Sequence, residues 1–412
     1  MFLTKLAFKN LVRHKNRTLI TAYIIAFAIF FYILMDSMIG GMTQMSYQTI
    51  IDYEAGHLQV VKQDYWEEKD ELPLDDLLTV DEQVMSVVVD TEGYQAVSPE
   101  LTFSARLNNG TNELPVAGKG INPEKFIDVF PLEDQFVEGK MFSMGEYKAV
   151  MGKRLAELMK LKKGDYITLL VKDKNETFNT IDVEVTGLVH TGNPNVNRNF
   201  VYLPLDIVQN SLNIDDKVSK VIIRLENMDT AAAVAGQLES KLDKINSDLA
   251  AYSWEELEAV SVAGAKQVGN QLIMAIILLI AAIAIINTVI LAALERMKEI
   301  GMMKAMGLKE KEIIYTFVLE STGIGILGGI MGVIMGIIGV WLLAIYGIDF
   351  GALMGMDMAS FGVPILGKLY GVWNMKAFVM VFSFGVIVSL LSSIIPAYWA
   401  ARKDPVKAIY HR

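Results

Sequence analysis

Residues 267–307 read QVGNQLIMAIILLIAAIAIINTVILAAL and then, without a break, ERMKEIGMMKAMG. The first part, Gln267 to Leu294, is 28 residues without a charge. About 20 apolar residues of helix cross a bilayer core, so this block is long enough to span it. Backbone polar groups in lipid must be satisfied within the segment, so the block is a helix. Charge returns abruptly at Glu295 and Arg296, which places the following residues outside the hydrocarbon. The helix is expected to continue inward as a charged rod and to stop at Gly307, because glycine takes a left-handed cap conformation at little cost. A second helix is expected to begin near Lys309 and enter the next span.

Three more blocks have the same character: Thr18 to Met35, Ser321 to Ile348 and Ala377 to Ala401 are all uncharged. The first has the basic approach and apolar centre of a signal peptide. It continues through Asp36 into another uncharged stretch without a small-residue cleavage site, so it is expected to be a retained anchor. Lys5, Lys9, Arg13, Lys15 and Arg17 precede the first span, and Arg402, Lys403, Lys407 and Arg412 follow the last. Basic flanks stay in the cytoplasm, which puts both termini inside. Residues 41–269 then face outward, with 38 acidic and 21 basic residues against a net charge of −10 for the whole chain. An exterior this acidic argues against nucleic acid as a partner.

The expected order is an amphipathic cytoplasmic N-terminus (1–17), span 1 with a stalk (18–44), an extracytoplasmic α+β domain (45–266), span 2 (267–294), a cytoplasmic segment (295–320), span 3 (321–348), an outer loop (349–376), span 4 (377–401) and a cytoplasmic tail (402–412). In the N-terminus Leu3, Leu6, Leu11 and Val12 alternate with Lys5, Lys9 and Arg13, the pattern of a helix lying in the interface or of a plain basic flank. In the outer domain the runs 57–62, 166–172, 181–189 and 220–225 read as strands. Residues 108–110, 163–165 and 191–194 read as turns. Residues 152–161 and 230–249 read as helices, and Trp254 to Asn270 as a helix returning to the membrane. A division into subdomains is expected near 95 and 215. Asp404-Pro405 reads as an N-cap and first-turn proline opening a short last helix.

The chemistry is sparse. The chain has no cysteine, and His14, His57, His190 and His411 are scattered, so neither disulfides nor a metal site is expected. A nucleotide-binding loop needs G-x-x-x-x-G-K-[ST]; Gly118-Lys119, Gly139-Lys140 and Gly152-Lys153 all fail it. The spans carry no ionisable residue except Glu320 at the inner edge of the third, which weakens channel and ion-coupled readings. Gly325, Gly328, Gly329, Gly332 and Gly336 form G-x-x-x-G steps suited to close helix packing, within one chain or at a dimer seam. Met35, Met38, Met42 and Met45 share one helix face, where flexible thioethers suit acyl chains or, equally, ordinary lipid and core packing.

The run Glu295-Arg296-Met297-Lys298-Glu299-Ile300-Gly301-Met302-Met303-Lys304-Ala305-Met306-Gly307 resembles the E-R-x-x-E-I-G-x-x-K-A-x-G signature of the MacB/FtsX/LolC-type (type VII) ABC permeases. The ending from Pro396 to Ile409 is similar to that family's P-A-x-x-A-A-R-x-x-P-x-x-A-L. Met151 to Ala156 with Leu161 to Leu169, and Ser253 to Leu257, resemble weaker elements of the outer domain. The resemblance implies an integral membrane protein with four transmembrane α-helices and a large extracytoplasmic α+β domain inserted between helices 1 and 2. It also implies a permease dimer, of two copies or of paralogues, on a separate cytoplasmic ABC ATPase dimer that holds the ATP and magnesium. No cofactor is expected in this chain itself. Carried over by position, Glu295, Arg296, Glu299, Gly301, Lys304, Ala305 and Gly307 form the ATPase-coupling set. Elimination within the family favours a lipoprotein-releasing permease of the bacterial inner membrane, with membrane lipid, a lipoprotein substrate and a periplasmic carrier as partners. Export of peptides or amphiphiles, and regulation of a cell-envelope enzyme, remain open.

Overall fold

The computed structural model describes Thr4, Ala7, Lys9, Leu11, Arg13 and residues 15–355 and 367–402. Most of the expected amphipathic N-terminus, His14, His411, the helix expected after Asp404-Pro405 and the end of the family motif lie outside the described residues. The chain divides into two compact units, one within Met1–Thr43, Lys266–Asp349 and Lys368–Arg412, the other within Gln44–Ala265 and Phe350–Gly367.

Long helices dominate the first unit: α1 (Lys15–Ile50), α2 (Glu258–Glu295), the short α3 (Met297–Ala305), α4 (Glu310–Tyr346) and α5 (Met375–Arg402). Four stretches among the described residues are long and apolar enough to cross a membrane: Thr18–Ala55, Val268–Glu295, Glu310–Tyr346 and Met375–Arg402. The glycines of α4 sort onto two faces. A methyl group added at Gly328 would stand 2.8 Å from the Ala22 carbonyl oxygen, and one at Gly332 2.7 Å from that of Ala26, both on α1. Gly336 lies as tightly against Ile33 of the same helix. Gly325 instead meets Ser389, and Gly329 meets Phe382, both on α5. All five glycines therefore sit at contacts within the chain, where absence of a side chain lets helix axes close up.

Strands make up the second unit: β1 (Leu58–Lys62), β2 (Leu78–Thr79), β3 (Tyr94–Asn108), β4 (Glu113–Ile121), β5 (Phe136–Gly139), β6 (Lys148–Gly152), β7 (Tyr166–Lys172), β8 (Phe178–Val189), β9 (Phe200–Pro204), β10 (Lys217–Val218), β11 (Lys220–Leu225) and β12 (Leu249–Ser253). Ten of them form one mixed sheet in the order β12-β1-β11-β3-β4-β9-β6-β8-β5, with β7 paired to β3 and β8. Only the β4–β9 and β6–β8 pairs are parallel. The amphipathic helix Ala231–Leu242 buries Ala231, Val234, Ala235, Leu238 and Leu242. These join Leu58, Val60, Val221 and Ile223 in one apolar cluster. The helix expected over 230–249 ends early: Asn246 accepts from the Asp248 amide in a local turn, and the chain then enters β12. Trp254 likewise lies in a 3-10 turn, where Ser253 and Glu256 form a reciprocal cap before α2.

His57 is buried beside β11. Its Nδ1 accepts the Leu225 amide at 2.8 Å, so the ring must be neutral on that side. Burial, with the nearby Arg224 charge, lowers its pKa to about 4. The unfolded chain takes up a proton near pH 6.5 and the folded chain does not until about pH 4, so stability falls as pH drops through that window and is whole above it. The expected loss is about 3 kcal/mol. Thermal unfolding of the purified chain between pH 7 and 4.5 should show it, and His57→Asn, which keeps an acceptor but cannot charge, should flatten the fall.

Candidate coupling elbow and apolar groove

The charged run after α2 folds into an elbow. Arg296 leaves helical geometry at φ −96° and ψ 5°, which separates α2 from α3. This corrects the expectation of one unbroken rod stopping at Gly307. The break has a partner: the Arg296 guanidinium pairs with the Glu320 carboxylate of α4, and their side chains are only 7% and 4% exposed. An ion pair this dry is matched by necessity, because removing either member strands a buried charge. Lys304 is anchored as well, donating to the Ala401 carbonyl oxygen at the end of α5 at 2.7 Å and lying 3.3 Å from Glu310. Beneath these contacts Met297, Ile300, Ile313, Phe317, Ala397 and Ala400 form an apolar core. Gly307, with φ +94°, turns the chain from α3 toward α4.

The coupling set is thus divided. Glu295, Ala305 and Gly307 are exposed, Glu299 and Lys304 are half-buried, and Arg296 and Gly301 are buried. Arg296 is buried in the elbow against Glu320 and fastens α3 to α4. Two residues outside the set are conspicuous: Met302 is 51% and Met306 73% exposed. With Ala305 they occupy positions i, i+3 and i+4, one helix face of adaptable apolar side chains. Spacing from the buried Met297, Ile300 and Gly301 marks that face as the outer one, a signal hidden by the charges around it.

A second feature lies between α1 and α2. Tyr23, Ile24, Phe27, Ala28 and Phe31 face Ile277, Ile280, Ala281 and Ala284 across a groove of about 510 Å³. Its lining carries no charged side chain, and Phe27 and Ile280 are each 60% exposed. The methionine candidates do not line it. Met35, Met38 and Met42 continue the helical row of Ile24, Phe27 and Phe31 along α1 at steps of three and four, and Met45 follows at the next step. Met42 is exposed and the other three are half-buried. Among the described residues no group of three or more His, Cys, Asp or Glu is placed to hold a metal ion.

Comparison with known proteins matches residues 18–241 to the MacB-like periplasmic core domain and residues 272–405 to the FtsX-like permease C-terminal domain. The lipoprotein-releasing system transmembrane protein LolC of Xylella fastidiosa is 22% identical over 322 residues, covering 74% of this chain and 75% of that protein. The macrolide export ATP-binding/permease protein MacB of Nitrobacter winogradskyi is 25% identical over 231 residues, 55% of this chain and 32% of that one. Among solved structures, the extracellular domain of the ABC-type transporter YknZ from Gram-positive bacteria aligns over 48% of this chain and all of that domain, at 16% identity and a TM-score of 0.35. With the first family model covering more than half of its length, the chain belongs to the MacB-like family and is an ABC transporter permease of the MacB/LolC/FtsX type.

Proposed function

We propose that this chain is the permease subunit of an ATP-driven, mechanotransmitting ABC transporter that extracts lipoproteins or other lipidated molecules from the outer leaflet of the bacterial inner membrane. Both termini are cytoplasmic, the α+β unit lies outside, and a separate ABC ATPase dimer acts on a pair of permeases. The observation that carries the substrate class is the uncharged groove between α1 and α2. A groove open to lipid, lined by aromatic and branched side chains and continued by Met35, Met38 and Met42, accepts acyl chains without burying a polar group. The similarity to lipoprotein-releasing proteins supports the same class.

The elbow supplies the coupling. α3 meets the ATPase through Met302, Ala305, Met306 and Gly307. Lys304 shares the push with α5, and the Arg296–Glu320 pair shares it with α4. α2 ends at the elbow and lines the groove, so a displaced elbow changes the groove's width. ATP closure then lifts the substrate outward without carrying it through the bilayer.

The first test is purification of the tagged chain in mild detergent, with mass spectrometry of what accompanies it. An ABC ATPase with bound lipoprotein is expected. An ATPase with an adaptor protein would move the function to export of peptides or amphiphiles, and the absence of any ATPase would overturn the coupling assignment.

Phe27→Asn is expected to lower substrate recovery at least tenfold while leaving ATPase association unchanged; parallel loss of both would mean that the groove serves packing alone. Arg296→Met should cost about 3–5 kcal/mol by taking the guanidinium away from the buried Glu320 carboxylate, whereas the double variant Arg296→Met, Glu320→Met should recover much of it. Detergent-solubilised thermal midpoints read this directly, and equal midpoints for single and double variants would contradict the buried-pair account.

A further inference from the structure

The α+β unit contains a cavity of about 370 Å³ that the transport reading does not use. Its floor is one face of five neighbouring strands. Pairing sets Val61 opposite Lys220, Lys220 opposite Glu100, Thr102 opposite Lys119, and Ala117 opposite Phe200. The walls come from Ile50 at the end of α1, from Glu54 and Ala55 in the π-helical turn Ile51–Ala55 that follows it, from the 65–72 segment, and from Leu257. That segment is held in place by aromatic stacking: Trp66 lies on Tyr252 at 3.8 Å between ring centroids, with the Lys69 ammonium 3.8 Å over its ring. Leu72, at the rim, has the left-handed φ of 54°, a conformation that costs a branched residue about 1 kcal/mol or more.

The floor holds an uneven set of charges. Glu100 is fully buried, and its Oε1 lies 3.1 Å from Lys119 Nζ and 3.2 Å from Lys220 Nζ. The same carboxylate accepts the Thr102 hydroxyl at 3.0 Å. Two ammonium groups thus share one carboxylate that is already bonded three times. Lys119 is 3% and Lys220 16% exposed, yet both line the cavity. Each ammonium has three N–H donors, and one shared carboxylate cannot occupy them all. Burial pulls the Lys119 ammonium below the ordinary lysine range, against the opposing pull of Glu100. Burial is the largest single influence on Lys220 and works against its charge, but Glu100, Tyr65 and Glu54 together raise its pKa. Across the cavity the charge of Glu54 favours both ammonium groups, while its oxygens accept the side-chain amides of Asn193 at 2.8 Å and Asn195 at 3.4 Å. Asp70 stands beside Lys69 on the wall. The unused hydrogen-bonding capacity at the floor is therefore that of donors carrying positive charge. The remaining surface is mainly apolar, with Phe200 under the Lys119 ammonium at 4.3 Å.

We infer that this cavity is a binding site for an amphiphile with an anionic headgroup, a phosphate or carboxylate seated between Lys119 and Lys220 and an apolar chain lying over Phe200, Trp66 and Ile50. The geometry matches the ligand in both halves: dry, convergent ammonium donors at the floor and an aromatic wall beside them. The ligand class follows from the cavity's own walls, so the site stands or falls separately from the lipoprotein reading of the membrane groove.

The test uses the full chain in phosphatidylcholine nanodiscs, with 1-oleoyl lysophosphatidate, 1-oleoyl lysophosphatidylcholine and inorganic phosphate as probes, read by the change in Trp66 fluorescence against a Trp66→Phe control. Saturable binding of lysophosphatidate alone is expected. Lys220→Met leaves the Lys119–Glu100 pair intact and should weaken binding at least tenfold, with Lys220→Arg restoring most of it. Ala117→Leu fills the cavity without altering charge and should weaken binding as much. No saturable binding of lysophosphatidate, or unchanged affinity in both Lys220→Met and Ala117→Leu, overturns the site. Equal binding of inorganic phosphate overturns the amphiphile and leaves a free-anion pocket.

Discussion

The membrane unit depends on the close crossing of α4 with α1 and α5. Lipid tails are as apolar as leucine, so burying leucine between helices gains little, and association relies on contact at short range. α4 provides that contact twice, with Gly328, Gly332 and Gly336 toward α1 and Gly325 and Gly329 toward α5. A side chain on either row would push apart backbones that now pack almost directly against one another. α2 is held differently. Its buried apolar residues Ala281, Ile285, Val289 and Ala293 recur every four positions along one narrow stripe, and most of its other side chains between 268 and 295 are exposed. Three helices are locked by glycine contact and the fourth rests on them along a seam. The groove lies beside the fourth, where movement breaks the fewest contacts.

How far such an arrangement can be read from sequence depends on the range of the interactions that make it. The four apolar blocks needed no partner to be recognised, because the demand for internal hydrogen bonding acts on each block alone. β7 was legible because alternation records a sheet with one wet face. β3 was not. From Ala96 to Phe103 it is buried on both faces, so alternation vanishes, and Pro99 and Glu100 look like a turn. Both belong in the strand for reasons outside it: Pro99 sits opposite Val221, and Glu100 is met by lysines from β4 and β11.

The elbow shows the same limit. Glu295 to Gly307 could be matched to a signature as a whole, but its residues look alike when taken one by one, since a charge on a helix beyond an apolar span is ordinarily solvated. What separates Arg296 from Glu295 is Glu320, 24 positions further on and one helix away. An acid just inside an apolar span is costly unless a cation reaches it, so Glu320 was the clue, and it pointed back toward the charged run. Met302 and Met306 became visible only once the buried side of α3 was known.

The two buried charge clusters differ in a way that bears on what each can do. Arg296 and Glu320 pair with almost no exposure to solvent, and such a pair in a dry site fixes one geometry at a net stabilisation near zero. Glu100, Lys119 and Lys220 are one acid and two bases on the floor of a cavity, with Glu54 across it tied by hydrogen bonds to Asn193 and Asn195. A fold that needed only a tie between β3, β4 and β11 would be as well served by an apolar trio without desolvation cost. Retaining the second ammonium is costly in the absence of an acceptor. That cost is offset when an anion supplies the missing bonds, which is why the imbalance, more than the burial, marks the cavity as a place where a ligand belongs.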